Sequence, residues 1–274
     1  YTSFISADGK IWNTSENIIC LKVYTIANSI KSSDLVKYYK NASGFSADVN
    51  VANANVTFSI NGINYTKTTD ENGTAYLNIN LRPGTYNITT YFNGINKTNT
   101  VTVLSAIIGD NLVKYYKNGT EFYARFVKGN GEALANTNVT FNINGVFYTR
   151  ETDSNGIAKL NINLRPGNYI LTATDPETGL DIGFNITVLP TIIAENLTTY
   201  LNASQFNASF VKGNGNPLSN TNVTFNINGV FYICQSDDNG LATLNINLMP
   251  GKYIITAIEP VTGLDMGYGV TVLK

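Results

Sequence analysis

Residues 139–173, VTFNINGVFYTRETDSNGIAKLNINLRPGNYILTA, give the clearest indication of the fold. Its first half alternates apolar and polar residues, which is typical of a half-buried β-strand. The pair Asn144-Gly145 predicts a two-residue type I′ hairpin, because both central residues of that turn need positive φ. A second turn, Asp153 to Gly156, precedes another alternating run. No window keeps the 3.6-residue period of a helix, so the stretch predicts antiparallel strands.

The same stretch occurs three times along the chain. The motif Asn-Val-Thr-Phe begins at Asn55, Asn138 and Asn222, at spacings of 83 and 84 residues, and each copy continues into an Asp-x-Asn-Gly turn and an LNINL motif. A repeat of this length can bury a core of its own, unlike a short solenoid repeat. We therefore expect three domains in tandem. Their boundaries are 27–104 (repeat 1), 105–189 (repeat 2) and 190–274 (repeat 3).

Residues 1–26 stand outside the repeats. Apolar residues between Ile18 and Ile26 indicate a strand. This N-terminal β segment is interpreted either as the last hairpin of a preceding domain or as an extra strand on repeat 1. Trp12, the only tryptophan, suits packing better than a sugar-binding platform. The abrupt start and end of the chain suggest a piece of a longer protein.

About seven short strands are predicted in each repeat. In repeat 2 they run from an opening segment, 107–117, to two closing segments, 168–174 and 182–189. Seven antiparallel strands in about 85 residues indicate an all-β, immunoglobulin-like (Ig-like) β-sandwich.

One tyrosine follows the Pro-Gly turn of each repeat, at Tyr86, Tyr169 and Tyr253. This is the position of a tyrosine corner, in which the hydroxyl bonds back to the preceding connection. An ordinary core tyrosine is the alternative, and both interpretations make the residue structural.

Composition excludes several classes of function. The 274 residues contain no histidine, the commonest general base and metal ligand. Only 14% are charged and the net charge is −1, so no basic surface for nucleic acid is expected. The sequence has no run of 18 consecutive apolar residues, so no transmembrane helix is predicted. We expect a protein that is not an enzyme, with no cofactor or metal and no nucleic-acid partner.

The repeated motifs carry a family resemblance. The 139–173 stretch, its two companions and the loop KGNGEAL at 128–134, repeated as KGNGNPL at 212–218, resemble the Ig-like repeats of archaeal adhesin-like surface proteins, especially those of gut methanogens. The resemblance covers about 27–274 and implies tandem extracellular modules and a role in adhesion. Repeat 1 departs from the pattern, because it is six residues shorter between Lys40 and Asn55 and lacks the KGNG loop.

Glycosylation is a candidate modification. The chain has 14 Asn-x-Ser/Thr sequons, about twice the number that its 40 asparagines would give by chance. The sequons on solvent-facing strand positions or at strand ends could carry a glycan without touching the core. Amide-rich strands that contain sequons by composition are the alternative. The candidates are Asn55, Asn118, Asn138, Asn202, Asn207 and Asn222.

Two further kinds of site can be drawn from the residues. Lys114 and Asn185, in the first and last strands of repeat 2, have the layout of a Lys-Asn isopeptide cross-link, although a solvated lysine is the preferred interpretation. Asp153 and Asp237, in Asn-Gly turns, and Asp110 and Glu195, at repeat boundaries, could ligate calcium. We favour turn capping instead, because too few carboxylates converge to supply six to eight oxygen ligands.

The two cysteines, Cys20 and Cys234, lie in different parts of the chain. An extended three-domain rod would separate them far beyond the roughly 7 Å limit for a disulfide. Free thiols are therefore favoured over an intermolecular bridge or a folded-back contact.

The function expected from these features is that of a non-enzymatic fragment of a cell-surface adhesin-like protein. Its repeats would form a monomeric, extended stalk, and the partner, a protein or glycan of another cell, would bind beyond this segment. The alternative is that the repeats themselves bind the ligand, through exposed tyrosines and the 128–136 and 212–220 loops.

Overall fold

The computed structural model describes residues 2–5, 11–14, 29–201 and 204–274, in which 26 strands and no helix occur. None of these residues forms a helix that could cross a membrane. The chain divides into two compact units, one of residues 1–37 with 42–104 and one of residues 38–41 with 105–274. The second unit thus contains repeats 2 and 3 together. The three-domain boundaries drawn from the repeats stay a prediction.

The N-terminal residues include one antiparallel hairpin of β1 (Thr2–Ile5) and β2 (Ile11–Thr14), in which Phe4 is the register partner of Trp12. The strand predicted between Ile18 and Ile26 lies outside the described residues, as does Cys20.

Each repeat contributes eight strands to two sheets. Those of repeat 1 are β3 (Lys31–Ser32), β4 (Leu35–Tyr38), β5 (Gly44–Asp48), β6 (Asn55–Ile60), β7 (Ile63–Thr68), β8 (Thr74–Asn78), β9 (Gly84–Phe92) and β10 (Ile95–Leu104). Those of repeat 2 are β11 (Ile107–Gly109), β12 (Leu112–Tyr115), β13 (Glu121–Phe126), β14 (Asn138–Ile143), β15 (Val146–Glu151), β16 (Ile157–Asn161), β17 (Gly167–Thr174) and β18 (Asp181–Leu189). Those of repeat 3 are β19 (Ile192–Ala194), β20 (Leu197–Tyr200), β21 (Ser204–Phe210), β22 (Asn222–Ile227), β23 (Val230–Gln235), β24 (Leu241–Ile246), β25 (Gly251–Ile258) and β26 (Asp265–Leu273).

The strand order is the same in all three repeats. In repeat 2 a three-stranded sheet has the order β11-β13-β16 and a five-stranded sheet the order β12-β18-β17-β14-β15. The fold is therefore an all-β, Ig-like sandwich, as predicted. The opening segment supplies one strand to each sheet, and β12 pairs in parallel with the last strand, β18. This division raises the strand number from the predicted seven to eight.

A side-chain-to-backbone hydrogen bond that the sequence analysis missed fixes the opening segment of each repeat. Asn111 Oδ1 accepts a hydrogen bond from the Asn185 backbone N–H at 2.7 Å, and Asn196 Oδ1 accepts one from Gly269 at 2.7 Å. In repeat 1, Asp34 Oδ1 accepts from the N–H of Thr100 at 2.9 Å. The recurrence of Asp or Asn just before this strand is the signal that could have revealed it.

The core lies between the two sheets, where alternate residues of each strand meet. One edge-to-face phenylalanine pair joins the sheets in every repeat, with ring centroids 5.7–5.8 Å apart. Such a pair contributes about 0.5–1.5 kcal/mol beyond the burial of its area. The pairs are Phe45–Phe58, Phe122–Phe141 and Phe206–Phe225.

The turn chemistry follows the sequence. Asn144 and Gly145 have φ of 55° and 77°, as a type I′ turn requires. Alternation across this turn puts Val146 on the same face as the buried Ile143, but Val146 is exposed. The strand β15 is the edge of the five-stranded sheet, and the three-stranded sheet leaves it exposed.

Candidate functional site

The candidate site is the junction between repeats 2 and 3, both in the second unit. The linker residue Thr191 is completely buried. Two loops of repeat 3, the 212–220 loop and the loop 259–264 between β25 and β26, contact the turn Tyr115–Asn118 of repeat 2. The junction is therefore built from segments that are far apart in sequence.

The glycine-rich part of the 212–220 loop lies against repeat 2. Asn118 Nδ2 donates a hydrogen bond to the Gly213 carbonyl. A β-carbon added to Gly215 would come within 2.8 Å of the Tyr115 ring, and Gly215 has a φ of +84°. A side chain at 215 would be strained and would collide with the ring, so the close approach depends on glycine.

Tyr116 joins the hydrophobic cores of the two repeats. It is partly buried and packs against the core cluster of repeat 2 and against that of repeat 3. Buried aromatic surface contributes the non-directional part of the junction energy, and the hydrogen bonds around it set the orientation.

Two cations of repeat 2 contact the second loop and the strand after it. Lys117 Nζ donates to the Thr262 carbonyl at 2.8 Å. Arg165 pairs with the Asp265 carboxylate at 2.8 Å and also donates to the Asp265 carbonyl at 2.5 Å. The hydrogen bond from Arg165 lowers the pKa of Asp265. Both side chains of this pair are more than half exposed, so it contributes about 0–1 kcal/mol.

A buried carboxylate shapes the 259–264 loop. Glu259 is 1% exposed, and its oxygens accept hydrogen bonds from the N–H of Val261 at 2.6 Å and of Thr262 at 2.8 Å. Asp175 has the same place in repeat 2 and accepts from Glu177 N–H and the Thr178 hydroxyl. These two carboxylates hold their own loops.

The glycine contact occurs a second time within the second unit. Asn41 Nδ2 donates to the Gly129 carbonyl at 2.6 Å, and a β-carbon on Gly131 would come within 2.6 Å of the Tyr38 ring. The segment Tyr38–Asn41 is thus the counterpart of Tyr115–Asn118. Both glycine loops, 128–131 and 212–215, are occupied by contacts of this kind, although the sequence had suggested them as ligand-binding loops.

The candidate glycosylation sites fall into two classes. The side chains of Asn55, Asn138, Asn207 and Asn222 are exposed. Asn118 differs, because its Nδ2, the atom that a glycan would modify, bonds to Gly213 and its Oδ1 accepts from Thr120 N–H at 2.7 Å. Modification of Asn118 and the docked loop would compete for one atom. Asn202 lies outside the described residues.

The three candidate corner tyrosines make the same hydrogen bond. The hydroxyl donates to the backbone carbonyl four residues upstream, from Tyr86 to Arg82 at 2.9 Å, from Tyr169 to Arg165 at 2.7 Å and from Tyr253 to Met249 at 2.8 Å. These bonds support the proposal of a tyrosine corner in each repeat.

Lys114 is buried, which the favoured interpretation of a solvated lysine did not anticipate. Its side chain is 3% exposed and donates to the carbonyls of Thr120 at 2.8 Å and Ile162 at 3.0 Å. Asn185 is exposed on the outer face of the sheet, so the structure does not bring the two proposed cross-linking groups together. Burial lowers the pKa of Lys114, and the charge of Glu121 partly opposes this shift.

Lys37 has the same place in repeat 1, where its Nζ donates to the carbonyls of Ser43 and Ile79, and burial lowers its pKa. Repeat 3 has Thr199 there, which bonds to the Ser204 hydroxyl. The buried cation is therefore a feature of two repeats only.

The acidic turns cap themselves. Asp153 Oδ1 accepts from the N–H groups of Asn155 and Ile157, both at 2.9 Å, and Asp237 does the same in repeat 3. Asp110 and Glu195 are exposed. In the part of the chain that the structure describes, no group of three Asp, Glu, Cys or His side chains could hold a metal ion.

Cys234 is a half-buried free thiol in the edge strand β23, and burial raises its pKa. Cys20 lies outside the described residues, so its expected free thiol stays a prediction.

A row that begins with an exposed phenylalanine and continues with polar residues crosses the outer face of the five-stranded sheet in two repeats. Phe147, 72% exposed, is followed across the sheet by Asn142, Thr172 and Gly183. Repeat 3 has the same row, Phe231-Asn226-Thr256-Gly267. Repeat 1 has Asn64-Ser59-Thr89-Thr98 there, without an aromatic residue.

No model of a protein family and no curated protein matches the chain. Solved structures similar to it include a tandem from titin (15% identity, 89% of this chain and 98% of that chain, TM-score 0.34). A Ca²⁺-stabilized adhesin with which an Antarctic bacterium binds ice matches at 16% identity over 99% and 80% of the chains, with a TM-score of 0.24. The SGBP-B protein of a Bacteroides ovatus mixed-linkage glucan utilization locus matches at 16% over 89% and 67%, with a TM-score of 0.25. At these scores the assignment of the fold rests on the strand order of the chain itself.

Proposed function

We propose that the chain is a segment of an extracellular, adhesin-like cell-surface protein, in which the Ig-like repeats form a stalk. The observation that carries this proposal is the junction between repeats 2 and 3. There Tyr116 packs on two cores, and the glycine loop and the 259–264 loop of repeat 3 both contact repeat 2. Loops used in this way set the angle between neighbouring domains, and a defined angle is what an extended spacer needs.

The cellular location and the source of the protein are proposed from its sequence. Resemblance to archaeal adhesin-like repeats supports a cell-surface location and an archaeal source, and the exposed sequons are compatible with a glycoprotein. The partner, a protein or glycan of another cell, would be engaged by regions other than these repeats. We also propose a non-enzymatic role, because the buried carboxylates Asp175 and Glu259 hold their own loops.

Small-angle X-ray scattering of the chain tests the stalk. An elongated monomer with one maximum dimension, independent of protein concentration, is the expected result. A compact particle would contradict the proposal. Binding of the fluorescently labelled chain to microbial and host cells and to a glycan array is the second measurement, and the stalk predicts no saturable binding.

The second candidate function is binding of a neutral glycan by the repeats themselves. The Phe147 and Phe231 rows favour it, because an exposed ring can stack on a sugar while neighbouring Asn and Thr groups bond its hydroxyls. Saturable binding on the array that is lost in the Phe147→Ser, Phe231→Ser double variant would support this candidate. Substitution of the exposed Tyr76, which lies outside these rows, is the matched control.

A further inference from the structure

The acceptor segment that receives a glycine loop reads YYKN at 38–41 and at 115–118, and repeat 3 has a diverged third copy, YLNA at 200–203, which lacks the terminal asparagine. Tyr38–Asn41 receives Gly129 and Gly131, and Tyr115–Asn118 receives Gly213 and Gly215. The third copy follows Glu195-Asn196-Leu197, the counterpart of Asp110-Asn111-Leu112, and places Tyr200 where Tyr115 stands.

The described part of the third copy is exposed. Tyr200 is 63% exposed and Leu201, which replaces Tyr116, is 40% exposed. Met249, the counterpart of Arg165, is 71% exposed. Tyr115 and Tyr116, by contrast, are partly buried by repeat 3. Three large apolar side chains therefore occupy, in the last repeat, the positions that form the junction surface of repeat 2.

We propose that the surface of Tyr200, Leu201 and Met249 is a docking site for the glycine loop of a further Ig-like domain of this type. The argument is continuity with the established junction, in which the same positions already hold such a loop. The inference deepens the proposed stalk function and rests on it for its biological meaning.

The chemistry of the surface restricts the partner. A loop glycine with positive φ is needed to approach Tyr200, as Gly215 approaches Tyr115. The cation that pairs with Asp265 in repeat 2 is absent at Met249. An apolar or uncharged residue is therefore expected in the partner where repeat 3 has Asp265.

The experiment uses the full chain extended at Lys274 by a second copy of residues 190–274. The added copy carries Tyr200→Phe, so that hydroxyl-radical footprinting with mass spectrometry reports on the original Tyr200 alone. We expect oxidation of Tyr200 to fall from its level in the unextended chain towards that of Tyr115. Exposed Tyr76 and Tyr123 should not change, and low oxidation of the buried Tyr268 shows that the added copy is folded.

Two variants make the test specific. Gly215→Val in the added copy should restore the oxidation of Tyr200, because the side chain blocks the approach. Met249→Arg in the original repeat 3 of the extended chain supplies an ion-pair partner for Asp265 of the added copy. In this variant, docking cannot fail because that ion pair is missing.

Three results would overturn the inference. They are an unprotected Tyr200 in both extended chains, protection that persists with Gly215→Val, and protection in the unextended chain that grows with concentration, which would assign the surface to self-association. None of them changes the scattering or binding of the unextended chain at low concentration, so failure of the docking site and failure of the stalk can be told apart.

Discussion

The ring of Tyr115 covers Gly215 so closely that a β-carbon on this glycine would lie 2.8 Å from the ring carbon Cε2. The same relationship joins Tyr38 and Gly131, where the distance is 2.6 Å. Both glycines have φ near +85°. Backbone conformation and steric space therefore demand glycine independently, and the two effects can be separated by experiment.

Gly215→Ala should open the junction between repeats 2 and 3. Its matched control is Gly229→Ala, because Gly229 has a φ of +78° and nothing within 4 Å of an added β-carbon. Both variants carry the cost of a left-handed residue, about 1–2 kcal/mol. Only Gly215→Ala should also increase radical oxidation of the Tyr115 side chain. Equal oxidation in the two variants would show that the ring does not depend on the glycine.

Lys114→Met should destabilise repeat 2. The substitution leaves the carbonyls of Thr120 and Ile162 without their donor, at a cost of about 1–3 kcal/mol for a buried unsatisfied group. Lys252→Met, at an exposed strand position, is the control and should be nearly neutral. Amide hydrogen exchange in β13 and β16 measures the loss of local stability. Unchanged protection of these strands would argue against a structural role for the buried ammonium.

The two buried lysines should make stability depend on pH. Burial lowers the pKa of Lys37 and Lys114 below the ordinary value of 10.5, so between the lowered pKa and 10.5 the unfolded chain binds more protons than the folded chain. Their contribution to the free energy of unfolding therefore rises with pH across that window. Urea unfolding should show a steeper rise for the natural chain than for the Lys37→Met, Lys114→Met variant. If the free energies of unfolding of the two proteins changed with pH in parallel, the two buried lysines would not be the cause of the pH dependence. The raised pKa of Tyr268 acts in the opposite direction above pH 10 but is common to both proteins.

Glycan occupancy should differ between two sequons of identical sequence. In Asn72-Gly73-Thr74 the asparagine is exposed in a turn, whereas in Asn118-Gly119-Thr120 the asparagine amide nitrogen donates a hydrogen bond to the Gly213 carbonyl. Glycopeptide mapping of protein from the native host should find lower occupancy at Asn118 than at Asn72. Full occupancy at Asn118 would mean that the loop is not docked when glycans are added.

Asp153→Ala should destabilise its turn equally in calcium and in chelator. The carboxylate accepts two backbone hydrogen bonds, so its loss costs about 1–3 kcal/mol. The measurement is the melting temperature of natural chain and variant in calcium chloride and in EDTA. A calcium-dependent difference between the two proteins would restore the metal-binding alternative.

Strands, turns and repeats could be predicted from the sequence because their signals are local. The alternation around Phe141 sets which side chains face the core, and the Asn144-Gly145 pair sets the hairpin, without information from distant residues. The three-fold recurrence then assigns one sandwich to each copy. The candidate corner tyrosines belong to the same class of local pattern.

Contacts between residues far apart in the sequence could be identified only in the folded chain. The role of Asn118 changes from solvent-exposed sequon to junction donor because Gly213, 95 residues away, meets it. Lys114 looked like a solvated lysine because its acceptor Ile162 is 48 residues away. Alternation predicts the facing of residues within a strand, but it carries no information on which loop of the next repeat a turn will contact. The local patterns of the sequence were enough to predict the all-β, Ig-like fold of the repeats. Packing between repeats 2 and 3 decided that the 212–215 loop contacts the Tyr115–Asn118 turn, since that depends on shape complementarity between surfaces far apart in the chain.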